Sequence, residues 1–312
     1  MAQYAAMVDQ SLLKPKRLKP GDRIGVVAAS SPFDRQTFEQ GIARIEAMGF
    51  STVLAEGLYD QDGYLAGSDE RRADQLHRLF EDPAVDGIVC ARGGYGSLRI
   101  LALLDFGIIR RNPKAFVGFS DASVLLANFY QRSGLACFHG PMVTALATAE
   151  TETVSALFSA LTGPDKIRRR SEDGETIRPG TAVGPVCGGN LTVLCHMLGT
   201  PFAPKFAGHI LFLEDIGEAP YRIDRMLTQM RLAGVLRGVR AVVLGNFKDC
   251  GKPADIGRIV KQAFSEEKIP ILAGVAAGHG KCNLTLPIGP MAKLDADNGL
   301  LEYQEAATVE RR

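Results

Sequence analysis

The chain has 312 residues, 46% of them hydrophobic and 23% charged, a composition typical of a globular protein with a sizeable core. Its 36 Lys and Arg residues balance 35 Asp and Glu residues, so its charge favours neither a nucleic acid nor an anionic membrane as a partner. The six cysteines form no CxxC pair and show no metal-ligand spacing. No signal peptide or long apolar span is visible. We therefore expect a cytoplasmic protein that carries no metal or other cofactor.

The first half of the chain alternates short apolar runs with amphipathic stretches. The runs predict strands at 24–29, 51–55, 87–91, 115–119 and 135–138, with helices at 35–48, 69–80 and 121–131. Continuous apolar strands that alternate with helices are typical of a parallel sheet covered on both faces. We therefore predict an α/β fold in which residues 1–162 form a Rossmann-like domain with a parallel sheet.

The pattern changes at residues 163–180, where three consecutive arginines and several Gly and Pro residues replace the apolar period, and we predict a linker there. Beyond the linker, strands are predicted at 182–186, 209–213 and 241–244, and helices at 190–197 and 221–232. From residue 284 onward, short alternating runs predict small antiparallel strands. Residues 181–312 are therefore predicted to form a smaller, mixed α/β domain.

Ser120 lies where a predicted strand turns sharply into a predicted helix, within the sequence GFSDA. A serine at such a turn is typical of a nucleophile elbow, in which small neighbours let the backbone lift the hydroxyl above the sheet. The following helix would direct its free N–H groups toward a developing oxyanion. The motif departs from the usual pattern at Ala122, where glycine is expected. A serine that merely caps the helix remains an alternative.

The sequence RGGYG at 92–96 follows another predicted strand, at what should be the same edge of the sheet. Its glycines permit close approach of the backbone to a ligand, so an N–H of Gly93 or Gly94 is a candidate oxyanion donor. Arg92 is a candidate for binding a substrate carboxylate. The alternative is a turn that simply needs glycine, with Arg92 bracing the loop through backbone carbonyls. No nucleotide-binding glycine motif is present.

His279 is flanked by two glycines, which leave its imidazole accessible, and it is the leading candidate for a general base. His139, which follows a strand of the first domain, is the rival base. Glu214 ends the predicted strand 209–213, where a carboxylate can accept a hydrogen bond from a histidine Nδ1–H. Glu218 lies a few residues later and is the alternative acid; we favour Glu214 because of its place at the strand end.

Seven segments together resemble the LD-carboxypeptidases, also called muramoyltetrapeptide carboxypeptidases. In the first half they are IGVVAASSPFD (24–34), ARGGYGSLRIL (91–101), FVGFSDASVLL (116–126) and CFHGPM (137–142). In the second half they are CGGNLTVLCHMLGTPF (187–202), LFLEDIGEAPYRIDRML (211–227) and GHGKCNLTLPIG (278–289). The resemblance extends from about residue 18 to residue 296.

The resemblance implies a Ser-Glu-His triad, which falls on Ser120, Glu214 and His279. It also implies an oxyanion hole made of two backbone amides, that of Asp121 and that of Gly93 or Gly94. Such enzymes remove the terminal D-alanine from murein tetrapeptides during cytoplasmic recycling of the cell wall. The residue before that D-alanine is meso-diaminopimelate or lysine, and the sequence does not distinguish them. We also expect a homodimer.

Three alternatives to this function remain. Relatives of the microcin C self-immunity kind cleave aminoacyl nucleotides and use an aromatic residue in an added loop, but this chain has no tryptophan and no aromatic residue in 163–180. Non-enzymatic proteins that bind small molecules can also consist of two α/β lobes around a cleft. A cysteine amidotransferase-like enzyme would have a related architecture, although the elbow residue here is serine. We therefore expect a murein peptide substrate.

Overall fold

A computed structural model describes residues 11–171 and 176–310; residues 172–175 of the predicted linker and the first ten residues lie outside this part. The chain divides into two compact units. Unit 1 comprises the chain up to Pro164, Thr285–Pro287 and the chain from Ala307; unit 2 comprises Asp165–Leu284 and Ile288–Ala306. None of the helices in the described residues has both the length and the apolar character needed to cross a bilayer.

Strands and helices alternate through most of the described residues. The strands are β1 (Arg23–Val27), β2 (Ser51–Leu54), β3 (Gly87–Cys90), β4 (Ala115–Gly118), β5 (Cys137–His139), β6 (Arg168–Arg170), β7 (Thr176–Arg178), β8 (Thr181–Asn190), β9 (Ile210–Ile216), β10 (Ala241–Lys248), β11 (Ile271–Leu272), β12 (Leu286–Ile288), β13 (Met291–Asp295) and β14 (Leu300–Tyr303). The helices are α1 (Arg35–Ala47), α2 (Asp69–Glu81), α3 (Ser97–Ile100), α4 (Phe106–Arg111), α5 (Ser123–Ser133), α6 (Val143–Leu146), α7 (Thr151–Thr162), α8 (Leu191–His196), α9 (Pro220–Leu232) and α10 (Pro253–Ala263).

The sheet of unit 1 has the strand order β12-β5-β4-β3-β1-β2. Strands β1 to β5 pair in parallel, as the apolar runs predict. Phe116 of β4, Phe80 of α2 and Phe129 of α5 are fully buried, and the ring centroids of Phe116 and Phe129 lie 4.8 Å apart. The predicted Rossmann-like parallel sheet is therefore confirmed, and its strands β3 and β4 lead directly into the candidate site.

The junction after β4 differs in detail from the prediction. The predicted helix at 121–131 begins with a separate 3₁₀ turn, Ser120–Ala122, and only then continues as α5. Helix α5 ends at Gly134, whose φ of 72° provides the left-handed residue that commonly terminates a helix. Ser120 therefore lies in a tight turn of its own and not at the first position of a regular α-helix.

The sheet of unit 2 has the order β6-β14-β13-β8-β9-β10-β11-β7. Strands β8, β9, β10 and β11 are parallel, whereas β13 pairs antiparallel with both β8 and β14. The mixed α/β character predicted for this part of the chain is confirmed. Glu214 on the central strand β9 lies opposite Asn190, the last residue of β8.

Two short strands lie within residues 163–180, for which a linker is predicted. Strand β6 pairs with β14 and strand β7 pairs with β11, each antiparallel and at an end of the unit 2 sheet. An edge strand of three residues pairs on one side only, and charged side chains are common there because they discourage further pairing. Because β6 consists of three arginines, apolar periodicity does not predict it.

The strand predicted at 182–186 continues through Cys187, Gly188 and Gly189 to Asn190. These glycines are needed because the backbone of β9 passes very close: a Cβ on Gly188 would collide with the carbonyl oxygen of Phe212. Gly188 also has a φ of +147°, which side-chain-bearing residues rarely adopt. Glycine at this position therefore allows β9, the strand that carries Glu214, to lie against β8.

We predict that Gly188→Ala lowers the free energy of unfolding by about 3 kcal/mol or more, since the new methyl group must displace the β9 backbone. The matched control is Gly199→Ala, because Gly199 has a φ of +81° and a methyl group added there would meet no other atom within 4 Å. That variant should lose only about 1–2 kcal/mol, the cost of a left-handed conformation. Urea unfolding measures both, and equal losses would contradict the assigned contact.

Candidate functional site

Ser120 has an unusual backbone conformation. Its φ is +58°, and among the described residues the only other non-glycine residue with a positive φ is Asp249. A left-handed residue of this kind is maintained only when its surroundings fix it, and such residues cluster at functional sites. Phe119 caps the 3₁₀ turn and Ala122 caps α5, so Ser120 is not the helix cap that the sequence left open. The side chain is half-buried.

Gly118 and Ala122 make this sharp turn possible. A Cβ on Gly118 would lie 2.8 Å from the Cβ of Ala122 and 3.3 Å from the sulfur of Cys90. Ala122 is fully buried, and its methyl group fits at a position where the elbow pattern usually has glycine because Gly118 has no Cβ to meet it. The backbone can therefore turn between β4 and α5 with the conformation of a nucleophile elbow.

The glycine loop, Arg92–Gly96, passes directly beside Ser120. A Cβ on Gly93 would lie 3.2 Å from Ser120 Oγ and 3.1 Å from Ser120 Cβ, so only a glycine leaves this approach unstrained. Gly94 has a φ of +103° and packs on Ser31, whose Oγ would be 2.5 Å from a Cβ at that position. The structure thus brings together the candidate nucleophile and the loop that carries Gly93 and Gly94.

Arg92 is exposed, and its Nη1 donates a hydrogen bond to the carbonyl oxygen of Pro32 at 2.7 Å. This is a bracing contact of the kind considered as the alternative to carboxylate binding. It engages one nitrogen of a guanidinium that has five N–H donors in total. The role of Arg92 toward substrate therefore stays a prediction.

His139, the rival base, is completely buried at the end of β5. Its ring lies edge-on to Phe119, with 5.9 Å between the ring centroids, and its backbone pairs with Gly118. A histidine without exposed surface cannot readily exchange protons with a substrate. These surroundings fit a packing role beneath the elbow better than that of a general base.

His279 and Glu214 form a close pair within unit 2. Glu214 has no exposed surface, and its Oε2 accepts hydrogen bonds from His279 Nδ1 at 2.7 Å and from the His279 backbone N–H at 2.9 Å. The imidazole keeps 16% of its side-chain surface exposed. When Nδ1–H is held by a carboxylate, Nε2 is the ring atom that remains to accept a proton. The pair therefore has the form of a general base with its orienting acid.

Glu218, the alternative acid, has a different partner. It is half-buried, and its Oε2 lies 3.5 Å from Arg222, one helical turn along the chain. A pair at this spacing is typical of the exposed face of a helix and contributes little to stability. Of the two glutamates, Glu214 is therefore the one that contacts His279.

Two asparagines that the sequence analysis does not identify hold the turn of His279. Asn283 Oδ1 accepts the N–H of Gly278 at 2.8 Å. Asn246, on β10, donates from Nδ2 to the carbonyl oxygen of Cys282 at 3.1 Å and from its backbone N–H to Ala277 at 2.8 Å. The only sequence signal for them is their proximity to a strand end and to the glycine-flanked histidine.

Both glycines beside His279 are required by these contacts. Gly278 has a φ of +92°, and a Cβ there would collide with the Glu214 carboxylate. A Cβ on Gly280 would collide with the side-chain amide of Asn246. The glycines therefore allow the turn to wrap tightly around the carboxylate. They serve this close approach as well as leaving the imidazole accessible.

The described ranges contain no group of three or more His, Cys, Asp or Glu side chains that could hold a metal ion. Five of the six cysteines are buried, and Cys282 is half-buried. Burial raises the pKa of the thiols of Cys90 and Cys195, which keeps them in the unreactive protonated form.

The sequence matches two domain models of one peptidase family. The model of the LD-carboxypeptidase N-terminal domain matches residues 24–140, and the model of the C-terminal domain matches residues 183–294. A putative carboxypeptidase of Streptomyces coelicolor is 38% identical over 96% of this chain and 98% of its own length. A probable murein peptide carboxypeptidase of Bacillus subtilis is 35% identical over 90% of this chain and 91% of its own length. The murein tetrapeptide carboxypeptidase of Pseudomonas aeruginosa is 31% identical over 88% of this chain and 94% of its own length.

Solved structures agree with this similarity. The microcin C7 self-immunity protein MccF, in its wild-type apo state, superposes with a TM-score of 0.88 and 26% identity, covering 95% of this chain and all of its own. The muramoyltetrapeptide carboxypeptidase of Oxalobacter formigenes gives a TM-score of 0.81 and 29% identity, covering 93% of this chain and all of its own. With two domain models matched and relatives above 30% identity along nearly the whole chain, this protein belongs to the LD-carboxypeptidase family of peptidases.

Proposed function

We propose that this peptidase is a serine-type LD-carboxypeptidase that removes the C-terminal D-alanine from murein tetrapeptides. The contact between His279 Nδ1 and the buried Glu214 carboxylate carries the proposal, because it is the arrangement that a histidine base requires. Ser120 on its strained elbow supplies the nucleophile of the proposed triad. The substrate is inferred from the relatives in Bacillus subtilis and Pseudomonas aeruginosa, which are named for murein peptides. We further propose that the enzyme acts as a cytoplasmic homodimer in wall recycling.

In the proposed reaction, Ser120 Oγ attacks the scissile carbonyl carbon while His279 Nε2 accepts the hydroxyl proton. The carbonyl oxygen becomes negatively charged and is stabilised by the backbone N–H groups of Asp121 and of Gly93 or Gly94. As the C–N bond breaks, His279 returns the proton to the amino group of the departing D-alanine. Water then attacks the acyl-enzyme with the same base and releases Ser120 and the shortened peptide.

The Glu214 carboxylate stabilises the imidazolium that forms during each proton transfer. Because Glu214 has no exposed surface, water screens its attraction to the histidine little, and the interaction is stronger than at the protein surface. Glu214 also fixes the orientation of the ring by accepting both the Nδ1 and the backbone N–H of His279. The carboxylate therefore acts on both the charge and the geometry of the base.

The alternatives from the sequence are weaker. Membership of a peptidase family sets aside a non-enzymatic binding protein. A cysteine nucleophile has no support, since the elbow residue is serine and burial raises the pKa of the Cys90 thiol next to the elbow. The relative MccF of Escherichia coli, at 28% identity, is named for microcin C7 self-immunity. The absence of tryptophan from this chain still favours the murein peptide over an aminoacyl nucleotide.

A substrate panel tests the proposal. The wild-type protein is incubated with murein tetrapeptides that carry meso-diaminopimelate or lysine before the D-alanine, and in parallel with aspartyl sulfamoyl adenosine. Mass spectrometry should show the loss of one alanine from a tetrapeptide, with the aminoacyl nucleotide left intact. Cleavage of the nucleotide alone would replace the proposed substrate with the microcin-type one.

We predict that Ser120→Ala abolishes hydrolysis and leaves the folded protein intact. The hydroxyl is the bond-forming group, and members of a triad act as a unit, so kcat should fall by about 10⁴-fold or more. Thermal unfolding and circular dichroism check that the variant is folded. A folded Ser120→Ala protein that retains activity would rule out the serine mechanism.

We predict that His279→Ala is about as damaging as Ser120→Ala, because no other group would accept the hydroxyl proton. His139→Ala is the matched histidine control. It removes a buried ring that packs on Phe119, so it should lower stability while changing kcat by less than about tenfold. Steady-state kinetics at equal folded concentration separate the two. An inactive His139→Ala beside an active His279→Ala would reverse the assignment of the base.

We predict that Arg92 binds the substrate's terminal carboxylate through the part of its guanidinium not engaged by Pro32. Arg92→Lys should then raise KM more than it lowers kcat, and Arg92→Ala should raise it further. Amidation of the substrate's C-terminus should impair the wild type strongly and the Arg92→Ala variant little. Equal sensitivity of the two enzymes to amidation would leave Arg92 with the bracing role alone.

A further inference from the structure

The two backbone N–H groups of the proposed oxyanion hole lie on different loops of unit 1. Asp121 belongs to the elbow after β4, whereas Gly93 and Gly94 belong to the glycine loop after β3. Donors stabilise an oxyanion well only when they are already held in place before the charge develops. The two loops must therefore be fixed to each other by contacts that do not involve the substrate.

The side chain of Asp121 makes such a contact. Its Oδ2 accepts the backbone N–H of Ser97 at 2.8 Å, and the residue is only 3% exposed. Ser97 directly follows the glycine loop and begins α3. Asp121 therefore has two connections to the hole: its own N–H is a proposed donor, and its carboxylate holds the end of the loop that supplies the other donor.

Arg72, a fully buried residue of α2, holds the same loop from the other side. Its Nη1 donates to the carbonyl oxygens of Gly96 at 2.9 Å and of Ala29 at 2.7 Å. A Cβ on Gly96, whose φ is +133°, would lie 2.8 Å from that nitrogen. Burial lowers the pKa of Arg72, whereas the nearby carboxylates of Asp69 and Asp121 raise it. Desolvation is the largest of these effects, and Asp69, which also accepts a hydrogen bond from Arg72 Nη2, is the main carboxylate partner of the guanidinium.

We infer that the Asp121 carboxylate, with support from Arg72, is a positioning group that fixes the glycine loop against the elbow and so assembles the oxyanion hole. The inference rests on the proposed function in one respect, since it takes Ser120 as the nucleophile. It does not depend on which peptide or nucleotide is the substrate. A carboxylate that only stabilised the fold would affect the unfolding temperature and leave the reactivity of Ser120 unchanged.

The rate at which a fluorophosphonate probe labels Ser120 reports on the oxyanion hole without a natural substrate. Ser120 Oγ forms a bond to phosphorus, fluoride leaves, the base takes the hydroxyl proton, and the phosphoryl oxygen develops negative charge as a scissile carbonyl would. Asp121→Ala should label about 10²–10³-fold more slowly than the wild type, the loss typical of one oxyanion donor. Asp121→Asn should stay within about tenfold of the wild type, because the amide oxygen can still accept the Ser97 N–H.

Asp34→Ala is the matched control, since it removes a carboxylate that also accepts a backbone N–H, that of Thr37 at 2.8 Å, at the start of α1. It should label at the wild-type rate even if its unfolding temperature falls. In a Ser120→Ala background, adding Asp121→Ala should change the affinity for a murein tetrapeptide by less than about twofold, because an oxyanion hole acts on the transition state and not on the bound substrate.

The outcomes separate this inference from the proposed function. Folded Asp121→Ala that labels within about threefold of the wild type, or Asp121→Asn as slow as Asp121→Ala, would overturn the positioning role. If Asp121→Ala does not fold, Arg72→Lys is the deciding variant, because it keeps the positive charge but shortens the side chain that bonds the carbonyls of Ala29 and Gly96. Slow labelling of Ser120 in this variant supports the inference, and labelling at the wild-type rate overturns it. A wild type that labels but cleaves no murein peptide would overturn only the substrate. A wild type that does not label would overturn the nucleophile and this inference with it.

Discussion

The Glu214 carboxylate ends up without exposed surface, a state that is costly for a charge unless hydrogen bonds replace water. It accepts both the Nδ1 and the backbone N–H of His279, so the chain must wind closely around it. Gly278 provides the conformation for this approach, and Asn246 and Asn283 form hydrogen bonds with the carbonyl oxygen of Cys282 and the N–H of Gly278. At the neighbouring strand, Gly188 lets β9 lie close enough to carry the carboxylate there. One buried charge thus accounts for several glycines and asparagines of unit 2.

Unit 1 shows the same principle with a strained residue in place of a buried charge. The left-handed backbone of Ser120 is accommodated because Gly93 leaves room beside its side chain, while Gly118 leaves room for Ala122 within the same turn. The Asp121 carboxylate then connects the elbow to the end of the glycine loop. Ser120 follows β4 at the carboxyl end of a parallel strand, where α/β sheets commonly carry their functional groups. In unit 2, Glu214 lies within β9, two residues before the strand ends at Ile216, and His279 lies in the segment between β11 and β12. The strands provide rigid positions, and short polar contacts between loops set the geometry.

Local patterns predict the elements that fill the core, and they fail where an element depends on distant partners. The parallel strands of unit 1 are short apolar runs, which the sequence shows directly. Helices α1 and α2 follow Asp34 and Ser68, whose side chains accept a backbone N–H of the first turn, and such capping residues are also recognisable in a sequence. Strand β6 consists of three arginines and gains its structure only by pairing with β14. The site shows the same division. The glycines beside His279 mark that residue in the sequence. The apolar run before Glu214 marks its strand, but β9 continues to Ile216, so Glu214 is not at the strand end that the sequence predicts. Asn246 donates to Cys282, 36 residues away, and no local pattern reveals that contact.

Asp215 shows why residue type and burial alone do not identify the acid. It follows Glu214 on β9 and is also buried, but successive strand residues point to opposite faces of a sheet. Asp215 accepts hydrogen bonds from the Asn190 side chain and from the N–H and hydroxyl of Thr192, so it secures the start of α8. Burial raises its pKa, and these bonds oppose the rise. Two adjacent buried carboxylates therefore differ in role because of their partners: neutral donors of the scaffold surround Asp215, whereas Glu214 meets a histidine that can become charged during the proposed reaction.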